Sequence, residues 1–157
     1  MRSLVVYYSR TGTTHSLAET VTSCLDDPDI ERIRPVSQRR YPNWLLRSFV
    51  PGARVPIQDA TVDLSTYDAV FLGTPKWTLS CPPVTEYVET ADLSGTTVGL
   101  FLTYGGFDEG RYLDRLVERV RRQGATVPAT MRVKRDAAGT ERCAKRAAEF
   151  CRAVTES

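Results

Sequence analysis

Leu4-Val5-Val6-Tyr7-Tyr8 runs directly into Ser9-Arg10-Thr11-Gly12-Thr13-Thr14. An apolar, largely β-branched run stops at a turn rich in hydroxyls. Helical spacing then begins at once, with Leu17, Ala18, Val21 and Leu25 on one face. The stretch predicts strand, loop and helix in succession. At the start of such a helix the first backbone N–H groups have no partner within the helix, and the dipole favours negative charge. A phosphate group is the natural guest of a loop of this kind.

Two common phosphate loops are excluded by the residues themselves. The segment has no Gly-x-x-x-x-Gly-Lys-Ser/Thr, so a nucleoside-triphosphate loop is not expected. It has no Gly-x-Gly-x-x-Gly either, so the dinucleotide fingerprint is missing. What remains, a hydroxyl residue followed by Thr11-Gly12-x-Thr14, resembles the phosphate loop of the flavodoxin family. That loop holds the phosphate of FMN with hydroxyls and amides.

The rest of the chain repeats the strand–helix alternation. Ile30, Arg32, Ile33 and Val36 outline a weakly patterned second strand after the Asp27-Pro28 turn. Tyr67–Gly73 is a continuous apolar run of the kind buried on both faces of a parallel sheet. Pro82-Pro83 opens a helix with Val84, Tyr87 and Val88 inward, proline being favoured in a first helical turn. Val98–Leu102 is a fourth strand, and Tyr112, Leu113, Leu116, Val117 and Val120 face inward from a helix closed by Gly124. Val127, Met131 and Val133 fit a fifth strand. Cys143, Ala147, Cys151 and Val154 line a last helix. Five alternations predict an α/β fold, a parallel sheet covered by helices on both faces. Without repeat or linker, residues 1–157 are expected to form a single domain.

Composition is ordinary for a globular chain of 157 residues: 41% apolar, 25% charged, 21 Lys and Arg against 19 Asp and Glu. A net charge of +2 gives no reason to expect a nucleic-acid partner. No apolar run reaches membrane-spanning length and the strand pattern starts at the first residues, so a cytoplasmic location without membrane insertion is expected. Cys24, Cys81, Cys143 and Cys151 form no Cys-x-x-Cys pair, and His15 is the only histidine. No metal site is expected. Cys143 and Cys151 stand eight residues apart on one helix, roughly 12 Å at about 1.5 Å per residue, too far for a disulfide. Reduced thiols follow.

Between Ser37 and Thr66 regular patterning fails. Arg39, Arg40, Arg47 and Arg54 alternate with Tyr41, Trp44 and Phe49. The stretch predicts a short helix over Asn43–Phe49 with Asn43 as its cap, the aromatics packed on the sheet and the arginines in solvent.

In an open α/β sheet, ligands bind beyond the carboxyl ends of strands, at the point where strand order reverses. With strand order 2-1-3-4-5, strands one, three and four are neighbours. The loops Ser9–Thr14, Thr74–Trp77 and Thr103–Phe107 then meet at one place. Ser9, Arg10, Thr11, Gly12, Thr13 and Thr14 offer donors to a phosphate. A flat isoalloxazine calls for aromatics, Trp77 on one face and Tyr104 or Phe107 on the other. Gly105 and Gly106 let the backbone approach a ring edge. Thr74, Pro75, Lys76 and Thr103 complete the candidate set.

With these three loops in order, nearly the whole chain resembles a short-chain flavodoxin. The resemblance implies a flavodoxin-like three-layer sandwich of order 2-1-3-4-5, bound FMN, and electron transfer between redox partner proteins, a reductase and an acceptor, by a monomer or weak dimer. It implies no catalytic residue. An alternative on the same fold is an NAD(P)H-dependent flavin or quinone reductase, or a protoporphyrinogen oxidase-like enzyme. Three features depart from the family: near-neutral charge with Arg10 and Lys76 at the site, the Arg39–Arg54 stretch, and Cys81 close behind the second loop, expected as a small buried residue before Pro82, with a thiol open to oxidation at the flavin edge as the alternative.

Overall fold

A computed structural model describes residues 1–37, 41–60 and 62–157, apart from the side chains of Tyr41 and Trp44. The chain runs β1 (Ser3–Tyr7), α1 (Thr13–Thr22), β2 (Asp29–Arg32), α2 (Tyr41–Arg47), β3 (Ala69–Pro75), α3 (Pro82–Thr90), β4 (Val98–Tyr104), α4 (Glu109–Arg122), β5 (Thr130–Lys134) and α5 (Glu141–Thr155). Single 3₁₀ turns lie at Leu64–Thr66 and Arg135–Ala137. All strands are parallel, in the order β2-β1-β3-β4-β5.

Alternation of side chains along the central strands builds two cores. Leu4 and Val6 of β1, Val70 and Leu72 of β3, and Leu100 and Leu102 of β4 face α3 and α4. Val5 and Tyr7, Phe71, and Phe101 face α1 and α5, where Leu17, Val21, Ala147, Phe150 and Val154 meet them. Every residue of β1 is buried, as are the first six of β3 and of β4. Gly73 is required by this packing: a Cβ there would stand 2.2 Å from the Phe101 ring.

Strands β3 and β4 continue two residues beyond the apolar runs. Pro75 pairs with Thr103 across them. Proline is tolerated at this inner position because β1 has already ended. Its last pairing to β3 is Tyr7 with Gly73, and no β1 residue lies opposite the missing N–H.

The second strand is shorter than its sequence pattern. It ends at Arg32, and Pro35 forms an antiparallel bridge with Ile57 instead. Helix α2 starts at Tyr41, so Asn43 lies inside it and is not its cap. Phe49 does not pack on the sheet: it is 58% exposed. Tyr41 and Trp44, the other aromatics of that expectation, and Arg39 and Arg40 lie outside what is described. Gly124 follows α4 with φ +86°, the left-handed turn that glycine allows. All four cysteines are free thiols. No described helix is long and apolar enough to cross a membrane.

Candidate functional site

The three loops leave the carboxyl ends of β1, β3 and β4 side by side, and short bonds fix them to one another. Thr14 and Thr103 join hydroxyl to hydroxyl at 2.7 Å, both buried. The Lys76 amide donates to the Thr103 carbonyl at 2.7 Å. From the sheet edge, the Arg32 guanidinium donates to the Ser9 carbonyl at 2.9 Å. The loop after β1 closes on itself: the Gly12 amide donates to Ser9 Oγ at 3.1 Å. Gly12 then takes φ +98°, a left-handed position suited to glycine, and α1 begins. No side chain caps that helix. Its first-turn amides open toward the groove with the positive end of the dipole behind them.

A cavity of about 120 Å³ lies where the loops meet. Ser9, Arg10, Thr11, Thr13 and Thr14 form one wall, Pro75, Lys76 and Trp77 another, with Thr103 at the back and Arg135 across the mouth. Trp77 is half-buried and meets the buried Tyr8 edge-on, ring centres 5.6 Å apart. It is thus held upright on the hydrophobic core and still reaches the groove.

The remaining expected residues fall elsewhere. Thr74 is wholly buried behind the loop, its hydroxyl donating to the Pro75 carbonyl at 3.0 Å. Tyr104 is half-buried at the end of β4, Gly105 and Gly106 are exposed, and Phe107 is 85% exposed, all outside the cavity wall. Gly105 lies close to Arg135: a Cβ there would stand 3.2 Å from the exposed guanidinium.

Arg135, Tyr8 and Arg32 belong to the site's surroundings and were not among the expected residues. Arg135 is the first residue after β5, and the carboxyl-end rule applied to a fifth strand would have found it. Arg10, Lys76 and Arg135 give the cavity a cationic lining. An anionic ligand is what the donor set fits. Hydroxyls, uncapped amides and three cations face one another, with one upright indole for a flat ring.

Behind the second loop, Cys81 is 1% exposed and burial pushes its thiol up to about 12. Cys81 is the small buried residue expected before Pro82; a neutral, enclosed thiol is a poor nucleophile, which sets aside the alternative of an oxidisable group. Burial likewise raises the hydroxyl of Tyr112, which donates to the Pro75 carbonyl at 3.4 Å. Among the described residues no cluster of His, Cys, Asp and Glu has the makings of a metal site.

A doubly wound parallel sheet with an anion-adapted groove at its switch point defines a class of α/β ligand-binding proteins. Residues 2–128 match the family model described as Flavodoxin. The chain belongs to the flavodoxin family. An uncharacterised protein of Archaeoglobus fulgidus is 36% identical over 110 residues, covering 69% of each chain. A flavoprotein from Lactobacillus acidophilus, solved in complex with FMN, shares the fold with a TM-score of 0.72 at 21% identity, over 83% of this chain and 92% of that one. Oxidised flavodoxin 2 from Bacillus cereus does so with a TM-score of 0.70 at 18% identity, over 99% of both.

Proposed function

We propose that the protein binds FMN in this groove and carries electrons between a reductase and an acceptor protein. The observation that carries the reading is the convergence of three loops on one cavity, with an uncapped helix at one end and an upright tryptophan at the other. The residues present fit the group. Ser9, Thr11 and Thr13, together with the amides that open α1, hold a terminal phosphate. Trp77 stacks on the ring and shields it from water. Lys76 and Arg135 offset the negative charge of the ligand. Bound FMN supplies the electron-accepting chemistry; the chain binds, orients and partly encloses it. A family match and a relative crystallised with FMN support the assignment. No acid–base pair stands in the groove, which favours a carrier over an enzyme acting on a bound substrate.

The test is the visible spectrum of the purified protein, with the released chromophore identified. A flavin spectrum and FMN are expected. A colourless protein that takes up no added FMN contradicts the proposal. Steady-state oxidation of NADPH without added reductase separates a carrier, which supports little, from a flavin or quinone reductase, which turns over.

A further inference from the structure

We propose that the face around the groove docks an acidic redox protein, whose carboxylates meet a basic rim and whose apolar centre rests on Leu46, Phe49 and Val50. This rests on the reading of the protein as an electron carrier. It reverses the sign of the docking surface that the resemblance to acidic flavodoxins implies.

The rim is assembled by the fold. Arg34 follows β2, Lys76 follows β3, Lys134 ends β5 and Arg135 follows it, so all stand at the carboxyl edge of the sheet. None of these four is in an ion pair among the described residues. Near this edge Asp108 pairs with Arg111 and Glu109 with Arg132, while Asp136 stands next to Arg135. The cations without an ion pair at the carboxyl edge steer an approaching acidic partner toward the groove.

The apolar spot is bolted to the groove. Ser48 is fully buried beneath α2, and its carbonyl accepts from the amides of Leu79 and Ser80 at 2.8 and 3.0 Å. Its hydroxyl meets that of Thr78, and Ser80 Oγ donates to the Val50 carbonyl at 3.1 Å. The segment following Trp77 therefore carries α2 with it. Yet Leu46, Phe49 and Val50 are 70%, 58% and 57% exposed, beside the exposed Arg47. A chain that fixes an apolar spot next to its ligand groove, beside the exposed Arg47, has the elements of a protein interface, an apolar centre with polar neighbours. The spot is too small for stable insertion into lipid, which takes a larger buried apolar face.

The experiment uses two haem proteins of opposite charge as probes, the acidic soluble domain of cytochrome b5 and the basic cytochrome c. Reduction of each by the flavin-loaded, reduced protein is followed by stopped flow over a range of ionic strength. The rate with cytochrome b5 should fall as salt rises, and that with cytochrome c should rise. Arg34→Glu with Arg47→Glu, both outside the groove, should slow cytochrome b5 reduction roughly tenfold at low salt, and Phe49→Ser should slow it at all salt concentrations. A flat or inverted salt dependence with cytochrome b5, or variants that match the wild type, overturns the proposal. A second arm needs no flavin. Flavin-free protein should be retained on immobilised cytochrome b5 at low salt and released at high salt, and the double variant should pass through. Retention by a protein that takes up no FMN would sink the carrier reading alone; no retention by a protein that does bind FMN overturns the docking face alone. Co-sedimentation with phosphatidylglycerol vesicles through Phe49 would overturn it in favour of a lipid surface.

Discussion

The three central strands and the limb from residue 29 to residue 60 treat apolar residues differently, for the limb buries Ile33 and Val55 yet leaves several others in solvent. In β1, β3 and β4 every large apolar side chain is buried, and the loops leaving them build the groove. In the limb, Ile30, Val36, Leu46, Phe49 and Val50 face solvent, while Ser48 is fully buried. The difference teaches that hydrophobic patterning reports burial only where a chain buries its own residues. The limb is tied down by hydrogen bonds from Ser48 and by the Pro35–Ile57 bridge, so its apolar residues remain available to something else.

Large truncations should separate the two regions most sharply. Phe101 is fully buried between Gly73 and Phe150, and Phe101→Ala should cost about 3–5 kcal/mol. Phe49→Ala should stay within about 0.5 kcal/mol, because the ring is already 58% exposed. Urea denaturation of both variants checks this, and equal losses would erase the contrast. Adding a methyl in the centre should come next. Gly73→Ala drives a Cβ to 2.2 Å from Phe101, an overpacking worth about 1–3 kcal/mol in the same assay. Unchanged stability would mean that the central strands shift more freely than their packing indicates.

The polar bolt between the loops should be smaller and non-additive. Thr14→Val strands the buried Thr103 hydroxyl and should cost on the order of 1 kcal/mol; Thr14→Val with Thr103→Val should cost less than the two single changes summed. Strict additivity in a double-mutant cycle would show that the bond carries no coupling.

The weakest effect belongs to the limb's attachment. Tyr67 and Arg2 both donate to the Asp29 carboxylate, which lowers its pKa below 3.8. A depressed carboxylate adds stability above its ordinary pKa and loses it as pH falls through the folded value. Asp29→Asn should therefore lower the melting temperature slightly at pH 7, and not at a pH where Asp29 is protonated. Because the Arg2–Asp29 pair is solvent-exposed, salt should shrink the difference. A gap that persists in acid would assign the effect to something other than charge.

The sequence discloses the centre well, and for the same reason that it discloses the limb poorly. Leu4–Tyr8, Tyr67–Gly73 and Val98–Leu102 are apolar because both faces of the sheet are covered, and that is visible without coordinates. Thr74-Pro75 and Thr103-Tyr104 read as loop because they are polar or lack a donor, yet they pair across β3 and β4. Thr14 reads as a free hydroxyl, but its environment turns it inward onto Thr103. Arg135 reaches the groove from just after β5, distant in sequence, and only the carboxyl-end rule applied to that strand would have marked it. Asn43 suits a cap, but α2 begins upstream of it.

On the proposed reading, the loop after β1 receives the single terminal phosphate of FMN and Trp77 stacks on its ring. Titration of flavin-free protein with FMN and with FAD, read by quenching of flavin fluorescence, tests it directly. One FMN per chain is expected, bound more tightly than FAD, with Trp77→Ala weakening FMN binding by on the order of 1 kcal/mol beyond the lost contact area. Equal or tighter binding of FAD, or unchanged affinity in Trp77→Ala, would contradict it.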